Sequence, residues 1–380
     1  MTTPRVRVSI DGQAVAGAFY ERLVSITVTD KTGVNSDTVD IELNDGSPQF
    51  LAIPRKGAII DVKIGYGSVR SLGQFTVDKV TTKCLPYSMS ISGKSANLRS
   101  GKLKERQERH WDKAKLKDVI GQIATESGLT AAVDPDIGEF EYDWLGQQDE
   151  SNVHFLRRLE QKHNGMFAIK GGKLIFSKQG SGQSASGSFV GSVVVTPDII
   201  VEGSCSFEVN DRTKYKKVVA YYQDKDKAKR VEIEAEGDSD GDSVYRIPES
   251  HASVEEADKA AQAKSKSLKR GEGSASVTVV GDTGITAGAP LLFSGVRPGL
   301  DGVPYVIESA THHYSKAGYT TAITSKLYDG KSGAGGKKAA GDAANDNKDA
   351  GKVAPNSAPG TPPTPGTWDK FKRNGSTDAN

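Results

Sequence analysis

Hydrophobic and polar residues alternate over most of the first hundred positions. Val6, Val8 and Ile10 mark one such run, from Arg5 to Ile10, which Asp11-Gly12 turns. The same period of two returns from Leu23 to Thr29 and at Val39, Ile41 and Leu43. It returns again in Ile59 to Ile64, Phe75 to Val80 and Met89 to Ile91. Successive side chains of a strand point to opposite faces, so these runs predict strands with one buried face. Turn residues separate them roughly every 10 to 15 positions, the spacing of a sandwich or a small barrel.

The period changes near Leu98. Leu116, Val119, Ile120, Ile123 and Ala124 fall on one face of a helix. His110-Trp111-Asp112 precedes it, with Asp112 as the expected N-cap and Gly128 as the expected stop. A second helix starts near Ser151, buries Val153, Leu156 and Leu159, and ends at Asn164-Gly165. Met166 to Lys178 then reads as a hairpin turned by Gly171-Gly172, which tolerate positive φ. A Gly/Ser-rich stretch, Gly180 to Ser188, closes this α+β unit. Strand patterns resume at Val193 to Thr196, Ser206 to Val209 and Lys217 to Tyr222. Ser253 and Glu256 have the spacing of a capping box. The helix they open buries Ala257, Ala261 and Leu268, and Lys269, Arg270 and Gly271 suit its end.

Two stretches more than 200 residues apart share one β pattern. The first comprises GAIIDVKIG from Gly57, GQFTVDKV from Gly73 and MSISGK from Met89. The second comprises GAPLLFSG from Gly288, GVPYVIESA from Gly302 and TAITSK from Thr321. An alternating strand precedes each: Val39, Ile41, Leu43 in one, and Ala275, Val277, Val279 in the other. Short Gly-bounded strands can resemble one another by chance, but the matching order predicts an internal duplication.

Composition then bounds the folded part. From Gly330 onward Gly, Ala, Lys, Asp and Asn dominate, followed by the Pro-rich run Ala358 to Gly366. Such a stretch buries too little apolar surface to offset the entropy of ordering, so a disordered tail is expected. The chain carries 50 basic and 48 acidic residues, which is not the charge balance of a dedicated nucleic-acid binder. Arg99, Lys102, Lys104, Arg106, Arg109, Lys113, Lys115 and Lys117 are diluted by Glu105, Glu108 and Asp112, and read as a solvated helix face. Cys84 and Cys205 form no C-x-x-C unit and read as reduced core residues of a protein made in a cytoplasm. No run approaches the apolar length of a membrane span, so no membrane insertion is expected.

Catalytic signatures are sparse. There is no G-x-S-x-G, no P-loop and no H-E-x-x-H. His312 and His313 adjoin in an expected strand, so one should be buried and the other exposed. No catalytic or cofactor-binding residue is assigned, and no cofactor is expected. The best metal candidate is weak: Asp238, Asp240 and Asp242 with Glu249 imitate the spacing of an EF-hand loop. Ser243 stands where that loop needs Gly, and no entering helix is expected, so a solvated acidic loop is the simpler reading. In the tail, Trp368 and Phe371 follow the Pro-rich run and suggest a docking peptide.

Several segments together resemble the late control D family, the baseplate hub proteins of contractile phage tails. They are GQFTVD from Gly73, the helix-and-hairpin segment Ser151 to Phe176, the Ala-rich helix and following strands from Glu255 to Gly295, and Gly302 to Thr321. The resemblance implies a mainly β fold with an α+β insertion and two antiparallel β-barrel domains like those of the tail tube protein. On this reading residues 1–97 form the first barrel, 98–190 the inserted domain, 191–329 the second barrel with a helix near 253–270, and 330–380 the tail. It further implies a non-enzymatic homotrimer whose six barrels give pseudo-sixfold symmetry. The ring would join the hexameric tail tube protein to the trimeric central spike protein, contact baseplate wedge proteins, and hold tape-measure protein or DNA in its lumen. Such a protein is synthesised and assembled in the bacterial host cytoplasm and resides in the virion tail baseplate. Two alternatives stand beside it. One is a baseplate-associated peptidoglycan hydrolase, for which no catalytic signature appears. The other is the hub of a tail-like bacteriocin or injection particle, which this chain alone does not separate from a phage.

Overall fold

The computed structural model describes residues 3–32, 37–47, 49–95, 101–179, 191–224 and 229–328. Its first segment contains β1 (Pro4–Ile10), β2 (Gln13–Ala14), α1 (Gly17–Arg22), β3 (Leu23–Lys31), β4 (Thr38–Asn44), β5 (Ile59–Tyr66), β6 (Arg70–Lys83) and β7 (Ser88–Lys94). The second contains β8 (Arg106–Lys115), α2 (Leu116–Glu126), β9 (Thr130–Val133), α3 (Pro135–Gly138), β10 (Glu141–Ser151), α4 (Asn152–His163), β11 (Gly165–Lys170) and β12 (Lys173–Lys178). The third opens with β13 (Val193–Val195), β14 (Ser206–Val209), β15 (Lys217–Asp224), β16 (Lys229–Glu236), β17 (Val244–His251) and α5 (Val254–Arg270). It closes with β18 (Gly273–Val280), β19 (Pro290–Phe293), β20 (Tyr305–Ser315) and β21 (Gly318–Leu327).

The duplication is visible in strand order. In the first copy the neighbours run β3-β4-β7-β6-β5-β1, and in the second β14-β18-β21-β20-β19-β13. Each strand of one order has its counterpart at the same place in the other. The outermost pair differs: β1 lies antiparallel to β5, whereas β13 lies parallel to β19. Gly57 and Gly288 are equivalent, both with φ of 87°. The Gly57 amide donates to Val77 and the Val77 amide to Ala58; the Gly288 amide donates to Ile307 and the Ile307 amide to Ala289. A bulge follows in each copy, between Val77 and Lys79 and between Ile307 and Ser309.

Beyond its bulge, β20 pairs with β3 of the first copy over Ser309–Ser315. The two copies therefore share one sheet. Their apolar faces remain two cores. One contains Ile26, Ile41, Ile60, Phe75 and Ile91, and the other Val277, Leu291, Phe293, Ile307 and Ile323.

The inserted α+β unit has its own core around Ile120, Leu156, Leu159, Phe167 and Phe176. Its local signals hold. The Ser151 hydroxyl accepts from the His154 amide, and Asn164 ends α4 in the left-handed conformation at φ 50°. Gly171 and Gly172 turn the hairpin with φ of 54° and 73°. Asp112 is not the N-cap of α2. It lies in β8, and Lys115 occupies the cap position without a side-chain bond. The described part of the basic cluster is largely on this strand rather than on a helix face. Its half-buried positions, Gln107, Arg109 and Trp111, recur with period two, but two of the three are polar, which conceals the alternation.

The segment between β14 and β18 is a second insertion. β15, β16 and β17 form a separate sheet, covered by Ala257 and Ala261 of α5. The capping box is present in modified form: Ser253 accepts from the Glu256 amide, while the Glu256 carboxylate accepts from Ala252. Helix α5 packs on α4, with Arg270 donating to Asn164. His312 is buried and His313 exposed, as alternation requires. Cys84 is not a core residue; it is exposed in the turn after β6.

Candidate assembly edges and charged sites

Edge strands leave backbone donors and acceptors unpaired, and proteins cover or charge such edges unless they are used. Among the described residues β14 pairs only with β18. Strand β6 uses Arg70–Thr76 against β5 and Thr76–Lys83 against β7, so among the described residues the outer side of Lys79–Lys83 has no strand beside it. In the second copy the equivalent half of β20 is the part that pairs with β3. The chain thus contains one completed junction between like units and one free edge of each kind that builds it.

Side chains beside the completed junction are hydrogen-bonded, and the Tyr66 bond crosses it. His312 is buried among the Tyr319 hydroxyl at 2.8 Å, Thr321 at 3.1 Å and the Ile285 carbonyl at 3.2 Å. Burial lowers its pKa, favouring neutral imidazole. The Tyr66 hydroxyl of the first copy donates to the Tyr319 carbonyl of the second at 3.2 Å.

Asp30 of β3 connects three parts of the molecule. One of its carboxylate oxygens accepts from Lys170 of β11, and the other accepts from the Ala287 amide at 2.9 Å. Lys170 also lies 3.2 Å from Asp37. Burial pushes the Asp37 carboxyl up to about 6, against the pull of Lys170 and with the push of Asp30. The two carboxylates raise the Lys170 pKa despite its burial. This charge node fastens the α+β unit to the first copy and to the turn before β19.

A second polar network lies inside the α+β unit. Arg109 donates to Glu126 at 2.7 Å, Gln147 at 2.9 Å and Asn152 at 3.0 Å. Gln147 and Asn152 are fully buried, so Arg109 satisfies groups that have no access to water. The basic cluster of the sequence predicts a solvated position for Arg109; its inward position on β8 gives it a structural role instead. Between α4 and β17 lies a cleft of about 700 Å³ lined by Arg158, Lys162, Glu249, His251 and Arg270.

The sequence-derived metal candidates lie in the loop between β16 and β17 and on β17, two strands that flank β15 on opposite sides. Asp238 accepts from the Asp240 amide at 2.8 Å. It also lies against Glu272, whose carboxyl is pushed up to about 7 by burial and by Asp238. Glu249 is on β17 and lines the cleft with Lys162, whereas Asp238 lines a different depression with Glu272. Among the described residues no group of three His, Cys, Asp or Glu side chains is placed to hold a metal ion. Trp368 and Phe371 lie outside the described residues. No helix among the described residues is long and apolar enough to cross a membrane.

Comparison with known proteins gives this architecture a family. The chain is 32% identical to the probable baseplate hub protein of Escherichia phage P2, over 84% of this chain and 92% of that one. It is 28% identical to the probable baseplate hub protein of Escherichia phage 186 over the same shares. Two solved structures share the fold. The 43 kDa tail protein of prophage MuSo2 from Shewanella oneidensis aligns with a TM-score of 0.64 at 16% identity, covering 86% of this chain and 99% of that one. A tail protein from Neisseria meningitidis MC58 aligns with a TM-score of 0.62 at 11% identity, covering 86% and 98%. The sequence model of the phage tail baseplate hub (GPD) family matches residues 60–318. The chain belongs to the phage tail baseplate hub family, a structural component of the virion tail.

Proposed function

We propose that three copies of this hub close into a ring that presents six like β units. The duplicated unit carries the reading: one chain already joins two copies through β20 and β3 and keeps a free edge at either end. Repeating a head-to-tail contact between unlike edges closes into a ring when the rotation permits. Six units suit a hexameric tail tube protein, while three chains suit a trimeric central spike protein. The insertions around α4 and α5 are then available to baseplate wedge proteins, and the lumen to tape-measure protein or DNA. The work is mechanical rather than enzymatic. Trp368 and Phe371 serve as a docking peptide.

Native mass measurement of the full chain, alone and mixed with the spike protein, tests this reading. Three copies per particle are expected. A hub that stays monomeric with its spike would overturn the ring.

A further inference from the structure

We infer that neighbouring copies join by pairing Lys79–Lys83 of β6 in one with β14 of the next. The register sets Val80 opposite Val209 and Cys84 opposite Cys205. This inference rests on the ring reading and names the strands and residues of its seam.

The register follows from the duplication. In the first copy Val80 faces Ile91, Ile91 faces Ile41, and Ile41 faces Ile26. In the second Ala310 faces Ile323 and Ile323 faces Val277. On β14 the pairs Ser206 with Ser276 and Phe207 with Ala275 place Cys205 at the Val277 level. Val80 is therefore equivalent to Ala310, and Cys205 to Ile26. Counting along the strands makes Val209 equivalent to Asp30. At the completed junction Ala310 lies opposite Asp30, and Tyr314 opposite Ile26. Applying that register to the free edges puts Val80 against Val209, Thr81 against Glu208, Thr82 against Phe207 and Lys83 against Ser206.

Side-chain chemistry at these edges agrees with the pairing independently of the register. Val209 is 50% exposed in the single chain, and Val80 is half-buried; each would cover the other. On the opposite face Glu208 would sit diagonally between Lys79 and Lys83, within reach of both. The chain has two cysteines, and both fall at one level of this register. Cys84 is exposed, one residue beyond the end of β6, and Cys205 immediately precedes β14. Directly opposed residues of antiparallel strands have Cα atoms about 4.5–5.5 Å apart, which a disulfide can span. Within one chain β18, β21, β20, β3, β4 and β7 lie between β14 and β6 in the strand order, so a bond between the two thiols reports contact between copies.

Oxidation of the full chain with diamide tests the seam. Each disulfide formed gives up two protons and two electrons to diamide, which becomes the hydrazine. Expected are dimers and closed trimers on a non-reducing gel, a Cys84–Cys205 linked peptide, and loss of both in C84S or C205S. A second pair, V80C with V209C in a C84S/C205S background, should link in the same way. Trimers by native mass that link through neither pair would overturn the seam and leave the ring standing. A chain that stays monomeric and unlinked, with and without the spike protein, would overturn both.

Discussion

Replacing Lys170 by alanine should loosen the α+β unit from the first β copy, and the loss should depend on pH. Lys170 neutralises Asp30 and Asp37, whose side chains are 15% and 10% exposed. Removing one partner of a buried charge group leaves the other uncompensated, at a cost of about 3–5 kcal/mol. In the native protein the folded pKa of Asp37, about 6, already lies above its ordinary value of 3.8. The fold therefore binds that proton more tightly than the unfolded chain. Stability falls as pH rises between these two values and then levels off. Lys170 pulls the Asp37 pKa down, so without it the Asp37 carboxyl would hold its proton to higher pH and the fall would extend upward. The variant should lose about 3 kcal/mol or more at pH 8 and clearly less at pH 5, where protonation relieves the charge. Hydrogen exchange of β11 and β3 amides, compared with wild type at each pH, reads the difference; 3 kcal/mol is roughly a hundredfold in opening. Lys170→Met retains the apolar stem and should behave like alanine if charge dominates. Equal losses at both pH values, or protection within threefold of wild type, would refute the electrostatic account.

Three further outcomes are expected. Burial holds the His163 imidazole down to about 3, beside the Tyr142 hydroxyl at 2.6 Å. Its stabilising contribution is complete above its ordinary pKa of 6.5 and is lost as pH falls toward 3. Acid titration of the native fold, followed by the fluorescence of Trp111 and Trp144, should show up to about 4 kcal/mol of destabilisation from this group. Gly288→Ala should cost about 1–3 kcal/mol in thermal unfolding, because φ is 87° and the new methyl meets Met166 Sδ at 3.3 Å. Millimolar calcium should leave Tm unchanged, since Asp238 faces Glu272 rather than Glu249; a calcium-dependent rise abolished by D240N would reverse this.

Local chemistry was legible wherever a single element decides it. Alternation found the strands of both copies because each strand buries one apolar face. Ser151, Asn164, Ser253 and Gly271 marked helix ends because caps satisfy backbone groups only a few residues away. The repeat was legible too, since Gly57 and Gly288 recur with the strands that follow them, and its order proved to be the order of the sheet. Strand β8 was misread because its inward Gln107 and Arg109 are polar. The burial of Arg109 is offset by Glu126, Gln147 and Asn152, and no spacing rule connects those positions to it.

The sequence by itself determined that this is a duplicated β protein with helical insertions, because hydrophobic period and turn residues act over short distances. Tertiary structure alone decided that β20 crosses from its own copy to pair with β3, and that Asp30, Asp37 and Lys170 converge. It also decided that Lys79–Lys83 and β14 remain open. Those outcomes depend on which strands become neighbours after hundreds of intervening residues, and side-chain period carries no information about the identity of a neighbour.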